Sequence, residues 1–144
     1  MRLFDSSTIP EEIIDMVVIG KDSLAKPGGE DFACAVIETF YKVNELLADP
    51  ATRDATLVKL GAKFSSLELE DMKVVIQETK LYKTPEEAID LFSKESFRNE
   101  TMPKVVDFCV SHDIVDQKPT VGFGDAAAQL NFDATYIEKV QQSE

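Results

Sequence analysis

The apolar positions change character along the chain. Ile13-Ile14-Asp15-Met16-Val17-Val18-Ile19 is a short run rich in β-branched residues, and Gly20 ends it. It is too short for a typical helix and reads as a buried strand. Arg2 to Phe4 is a candidate for a second, shorter strand. Between them, Asp5-Ser6-Ser7-Thr8-Ile9-Pro10 is turn chemistry: side-chain oxygens that bond nearby backbone, then a proline of fixed φ. After the break at Lys26-Pro27-Gly28-Gly29 the period becomes helical. Phe32, Val36, Phe40, Val43 and Leu47 recur at spacings of four and three, which predicts a helix capped by Asp31 and running to about Ala48.

Asp49-Pro50 ends that helix and opens the next, an aspartate cap followed by proline at the first helical position. The new helix carries Leu57 and Leu60 and stops near Gly61. Ser65-Ser66-Leu67-Glu68 fits a capping box and predicts a helix presenting Leu69, Met72, Val75 and Ile76. Thr84-Pro85-Glu86-Glu87 fits a second box with proline just inside the start, ahead of an apolar face of Ala88, Ile89, Leu91 and Phe92. Asn99 is placed to cap a further helix, with Pro103 tolerated in its first turn and Met102, Val105, Val106, Cys109 and Val110 facing inward. Ser111-His112-Asp113-Ile114-Val115 closes it. Gln117 to Asp125 reads as a loop, with Pro119, Gly122 and Gly124. Phe132, Tyr136, Ile137 and Val140 predict a last short helix that docks back. The expected class is mainly α with one or two short strands, in one domain over 1–144. Residues 1–20 form a strand–turn–strand segment, 30–116 a helical bundle, and 117–144 a loop and closing helix. A chain of 144 residues can bury roughly two-thirds of its unfolded surface, enough for one core.

Charge narrows the function classes. Lys and Arg number 15 against 27 Asp and Glu, a formal charge of −12. Nucleic acid and anionic membrane surfaces are disfavoured, since both need a basic footprint. No stretch approaches ~20 uninterrupted apolar residues. Met1-Arg2-Leu3-Phe4-Asp5 has no apolar signal core, so the chain as written is not expected to be exported. Cys34 and Cys109 both fall in apolar helical patterns and read as buried free thiols, a disulfide between them staying open. Neither lies in a CxxC, and the single histidine, His112, makes no multi-histidine metal site.

Candidate chemistry is sparse. Asp5, Ser6 and Ser7 place a carboxylate and two hydroxyls in one loop, a possible site for a small polar solute; the same residues also make self-satisfied turns. His112 beside Asp113 invites an acid–base reading. Ser111 is too near in sequence to be an oriented nucleophile, and a histidine at a helix C-terminus is favoured by the dipole alone. Gly122-Phe123-Gly124 lacks the third glycine of a dinucleotide fingerprint. Glu86-Glu87 suits a helix N-terminus, and adjacent helical residues point apart. No Walker, HExxH or GxSxG motif occurs. The expectation is no catalytic residue, no metal, no cofactor and no enzyme activity.

Five segments in register resemble a known family. They are Leu3-Phe4-Asp5-Ser6-Ser7-Thr8-Ile9-Pro10 with Glu12-Ile13-Ile14-Asp15; the Ala35-to-Leu47 helix with Phe40-Tyr41; Thr79-Lys80-Leu81-Tyr82-Lys83-Thr84-Pro85-Glu86-Glu87-Ala88; Thr101-Met102-Pro103-Lys104-Val105 with Phe108 and His112-Asp113; and Asn131-Phe132-Asp133-Ala134-Thr135-Tyr136. Together they resemble the C-terminal part of ABC-transporter periplasmic solute-binding proteins of the nitrate, sulfonate and taurine group, nearest the urea-carboxylase-associated branch. The chain departs from that pattern at Glu11, where glycine is usual. The resemblance implies part of one lobe of a type II periplasmic-binding-protein-like α/β fold, with a taurine-, sulfonate-, nitrate- or urea-like solute at Asp5, Ser6 and Ser7. The family's N-terminal strands and second lobe have no counterpart in these residues. That implies a truncated, self-associating module, as a homodimer or with a partner supplying the missing lobe. Full-length relatives are periplasmic. The alternative is a stand-alone helical interaction or structural protein that has lost the ligand site.

Overall fold

The 3-10 turn Ser6–Thr8 opens the computed structural model, which describes residues 5–64, 66–125 and 127–143. Seven α-helices follow among the described residues: α1 (Lys21–Leu24), α2 (Gly29–Ala48), α3 (Arg53–Phe64), α4 (Leu69–Glu78), α5 (Pro85–Ser93), α6 (Met102–Ser111) and α7 (Thr135–Ser143). A π-helical turn, Phe97–Thr101, leads into α6, and two strands, β1 (Val121–Phe123) and β2 (Leu130–Phe132), precede α7. The protein is mainly helical with two short parallel strands. No helix among the described residues is long and apolar enough to cross a membrane.

Helix α5 divides the core into two clusters. On one side Leu91, Phe97, Met102 and Phe132 are buried together, joined by Ile14, Tyr82 and the flanks of β1 and β2. On the other, Tyr41 of α2 meets Ile137 and Val140 of α7. Phe92 packs against both. Helix α5 starts as its capping box predicts: the Thr84 side chain accepts from the Glu87 N–H at 3.4 Å, and Pro85 stands in the first turn. The Glu87 carboxylate reaches one residue further out than the motif requires and accepts from the Lys83 N–H at 2.6 Å.

Several boundaries differ from the sequence pattern. Ile13 to Ile19 lie in no helix or strand and make no backbone hydrogen bond with another described residue. Ile13, Val17 and Val18 are 71%, 64% and 72% exposed. A β-branched run becomes a strand only when a partner completes its ladder, and no described residue offers one. The candidate strand at Arg2 to Phe4 lies outside the described residues. Of the strands that do form, β1 falls in the segment expected to be loop, and β2 takes Phe132, expected in the closing helix; that helix starts only at Thr135. Around β1 the two glycines serve different ends. A side chain on Gly122 would stand 2.7 Å from the Ala128 Cβ and 2.9 Å from the Asp125 Cβ, while Gly124 takes φ +77°. Parallel strands usually need a long crossover. These are three residues each, about 10 Å, so a connection reaching about 20 Å suffices. Side chains clasp the starts of the two strands: the Gln129 Oε1 accepts from the Thr120 N–H at 3.0 Å, and the Thr120 Oγ1 from the Gln129 N–H at 2.9 Å.

Helix α2 buries Ala33, Tyr41 and Asn44, a stripe adjacent to the expected one; Phe32 is 66% exposed and Phe40 is also exposed. The helix is apolar around more than one face, and the packing of Tyr41 on Ile137 and Val140 of α7 selects which one is covered. Asp49 caps a turn, accepting from the Ala51 N–H at 2.9 Å, so α3 begins later than Pro50. It runs through Gly61, where an added Cβ would lie 2.5 Å from the Leu67 carbonyl oxygen. The glycine marks a close crossing and not a helix end. Ser65, the capping residue of the expected box, lies outside the described residues; Ser66 has φ +53°, and α4 starts with Glu68 as its N-cap and no side-chain cap. Asn99 sits inside helical backbone, because Phe97 must be fully buried and Arg98 already donates to the Lys94 carbonyl at 3.1 Å. The widened turn ends just before Pro103, which has no N–H to donate and whose ring crowds the carbonyl four residues back. Cys34 and Cys109 are free, as expected, but half-buried.

Candidate functional site

The loop at Asp5, Ser6 and Ser7 folds onto itself. Asp5 Oδ1 accepts from the Ser7 backbone N–H at 2.9 Å and from the Ser7 hydroxyl, and the Thr8 hydroxyl donates to the Asp5 carbonyl at 2.8 Å. This is an aspartate-capped turn built by residues two and three apart. Ser6 and Ser7 are exposed, and none of the three candidate residues lines the cleft at Glu11.

The cleft lies further along the same segment. Glu11 takes φ +67°, a conformation that costs a residue with a side chain. It delivers its carboxylate to α5, where the Lys94 Nζ stands 2.9 Å from both oxygens. Lys80, in the link between α4 and α5, places its Nζ 3.9 Å from Oε1 and over the Tyr82 ring at 5.1 Å from the centroid. The Glu11 side chain is only 13% exposed, whereas Lys94 is half exposed. Such a pair contributes at most about 1 kcal/mol, which makes it a latch more than an anchor. Beside it opens a cleft of about 620 Å³, lined also by Leu81, Glu87, Asp90, Leu91 and Ser93.

Sequence reasoning singled out Glu11 only as a departure from a family pattern and passed over Lys80 and Lys94. Glu11 and Lys94 are 83 residues apart, and no local period signals a pair so separated. The one legible hint was that Lys80 and Tyr82 sit in the segment that carries the resemblance.

Two further groups of titratable residues make contacts within the fold. His112 caps the end of α6: its Nδ1 lies 3.0 Å from the Phe108 carbonyl and 3.1 Å from the Ser111 hydroxyl, and its ring stacks on Phe108. Asp113 follows with φ +54°, while the Ile114 N–H reaches the Cys109 carbonyl at 2.9 Å, a Schellman closure. Glu30 of α2 receives the Lys139 Nζ at 2.8 Å and the Tyr136 hydroxyl at 3.4 Å. The Lys139 hydrogen bond and charge hold the Glu30 carboxyl below its usual range, and Glu30 in turn raises Lys139. Desolvation raises the Tyr136 phenol, with the Glu30 charge adding to it. No group of three or more His, Cys, Asp or Glu among the described residues is placed to hold a metal ion. Compared with models of protein families, with curated proteins and with solved structures, the chain matches none of them.

Proposed function

We propose that this chain is a solute-binding-protein-like module, similar to part of the substrate-binding component of an ABC transporter, and not a catalyst. Its helices and strand segment correspond in this reading to part of one lobe of a type II periplasmic-binding-protein-like fold. The remainder comes from polypeptide outside these residues or from a second copy. The observation that carries the reading is the Ile13–Ile19 segment, an apolar, β-branched run left exposed and without a partner strand among the described residues. Such a run is what a central strand looks like when its sheet is absent. Glu11 adds support. It adopts a left-handed conformation at the position where the family pattern carries glycine.

In this reading the solute is small and polar, of the taurine, sulfonate, nitrate or urea kind, and approaches Asp5, Ser6 and Ser7. Half a cleft buries a solute on one side only, so affinity is weak until the facing groups are supplied. The second reading is a helical interaction protein without a ligand site. It is favoured by one observation, that Ser7 already engages the Asp5 carboxylate twice.

A thermal-shift screen with taurine, alkyl sulfonates, nitrate, urea and short amides, run beside light scattering, tests the two. Ligand at a hundredfold excess over Kd adds about 2.7 kcal/mol of stability. A shift that Asp5→Ala abolishes supports the binding module. No shift with any solute, together with a dimer or larger mass, replaces it with the interaction protein.

A further inference from the structure

We propose that the Glu11 carboxylate occupies a binding site for a small organic monoanion, a carboxylate or sulfonate, formed by Lys80 and Lys94. The site shares no residue with the Asp5–Ser7 loop and stands whether or not the transporter reading holds. Two ammonium groups from different elements, the link before α5 and the end of α5, converge on one carboxylate, and both of its oxygens are within 2.9 Å of Lys94. That arrangement recognises an oxyanion, and the side chain filling it is tethered in a conformation unfavourable for glutamate, φ +67°. Space continues beyond it. The adjoining cleft of about 620 Å³ has Tyr82 and Leu91 in its walls, room for the organic part of an acid. Glu87 and Asp90 line the same cleft. With a formal charge of −12 on the chain, they select against multiply charged anions. Glu11's ion pairs and the packing of Ile14 tie the 6–19 segment to the core beside α5. Release of Glu11 exchanges one carboxylate for another, and the packing of Ile14 against the Phe97 cluster keeps the segment beside α5 when it does.

A tethered carboxylate competes with a free one, and the apparent affinity falls by the fraction of time the site is open. The test titrates wild type, Glu11→Gln and Glu11→Gly with acetate and with methanesulfonate, ionic strength being held constant with chloride. Amide chemical shifts around Lys80 and Lys94 are followed. Glu11→Gln frees both lysines and should tighten binding by about fivefold. Glu11→Gly does the same while relieving the backbone, so it reports even where the glutamine variant folds poorly. Adding Lys94→Gln to either should abolish the response. Equal affinities in wild type and both Glu11 variants would overturn the proposal. So would a response that survives Lys94→Gln, or one that chloride alone reproduces.

Discussion

Truncating Phe97 removes the ring on which the β pair and α5 meet. Phe97 is fully buried, and its ring stands edge-on to Phe132 at 5.4 Å and to Phe123 at 5.9 Å. Phe123 is also stacked on Phe132 at 4.9 Å and covered by the Arg98 guanidinium, 5.0 Å from its centroid, so that ring loses one of three partners when Phe97 goes. A buried Phe→Ala change costs about 3–5 kcal/mol. Each aromatic pair accounts for about 0.5–1.5 kcal/mol beyond its burial. Phe97→Leu keeps most of the apolar volume and loses mainly the aromatic geometry, so it should cost about 1–3 kcal/mol on those pair values. Against a total stability of about 5–15 kcal/mol, the alanine variant is severely weakened and the leucine variant is not. Urea denaturation followed by circular dichroism gives both differences from the midpoints. Hydrogen exchange adds a local readout, because the Gly124 N–H, bonded to the Phe132 carbonyl at 2.9 Å, should lose protection in Phe97→Ala. Equal losses for alanine and leucine, or an alanine loss below about 1 kcal/mol, would refute this account of the core.

Thr84→Ala removes the side-chain acceptor for the Glu87 N–H and should cost about 1 kcal/mol in urea titration, with the spectrum otherwise unchanged. Asn44 is buried and its Nδ2 has no hydrogen-bond partner among the described residues, so Asn44→Leu, which keeps the branched skeleton, should stabilise by about 1 kcal/mol in the same assay. The Glu30–Lys139 pair makes α7 docking pH-dependent in a definite sense. Glu30's folded pKa lies below its ordinary 4.5, so its contribution is present above that value and lost as pH falls through the folded one. Lys139's lies above its ordinary 10.5, so its contribution is full below that and lost as pH rises through the folded value. Glu30→Gln should therefore flatten part of the acid-side decline in thermal midpoint, and an unaltered acid limb would argue against the pair.

How much was readable from the sequence depended on how local each cause is. The start of α5 was legible because Thr84, Pro85 and Glu87 interact within four residues. The docking face of α7 was legible because Ile137 and Val140 stand one turn apart on an otherwise polar helix. The strands were not. Gly122 and Gly124 look like loop residues until Ala128 and Asp125 are seen pressed against the Gly122 backbone. Ile13 to Ile19 has strand composition, but pairing is a property of two segments, and composition describes one. The face of α2 was ambiguous because two stripes on it are apolar and only contact with α7 selects between them. The Glu11, Lys80 and Lys94 cluster depends on tertiary approach alone.

Exposed apolar surface and net charge set opposing demands on whatever covers Ile13 to Ile19. Ile13, Val17, Val18, Phe32, Phe64 and Phe108 are all exposed, yet a second copy brings another −12 charges with it. At low ionic strength that repulsion is weakly screened; at about 0.1 M salt the Debye length shrinks to about 10 Å. Association between identical copies should therefore strengthen as salt rises, since apolar burial survives screening and the repulsion does not. A basic partner would show the reverse trend, because its attraction is itself electrostatic. Sedimentation velocity at low and high sodium chloride, across a wide range of protein concentration, separates the cases. A mass that grows with both salt and concentration identifies a second copy as the cover. A monomer throughout removes self-association from the proposed function and leaves a separate chain, or more of this one, as the source of the missing strands.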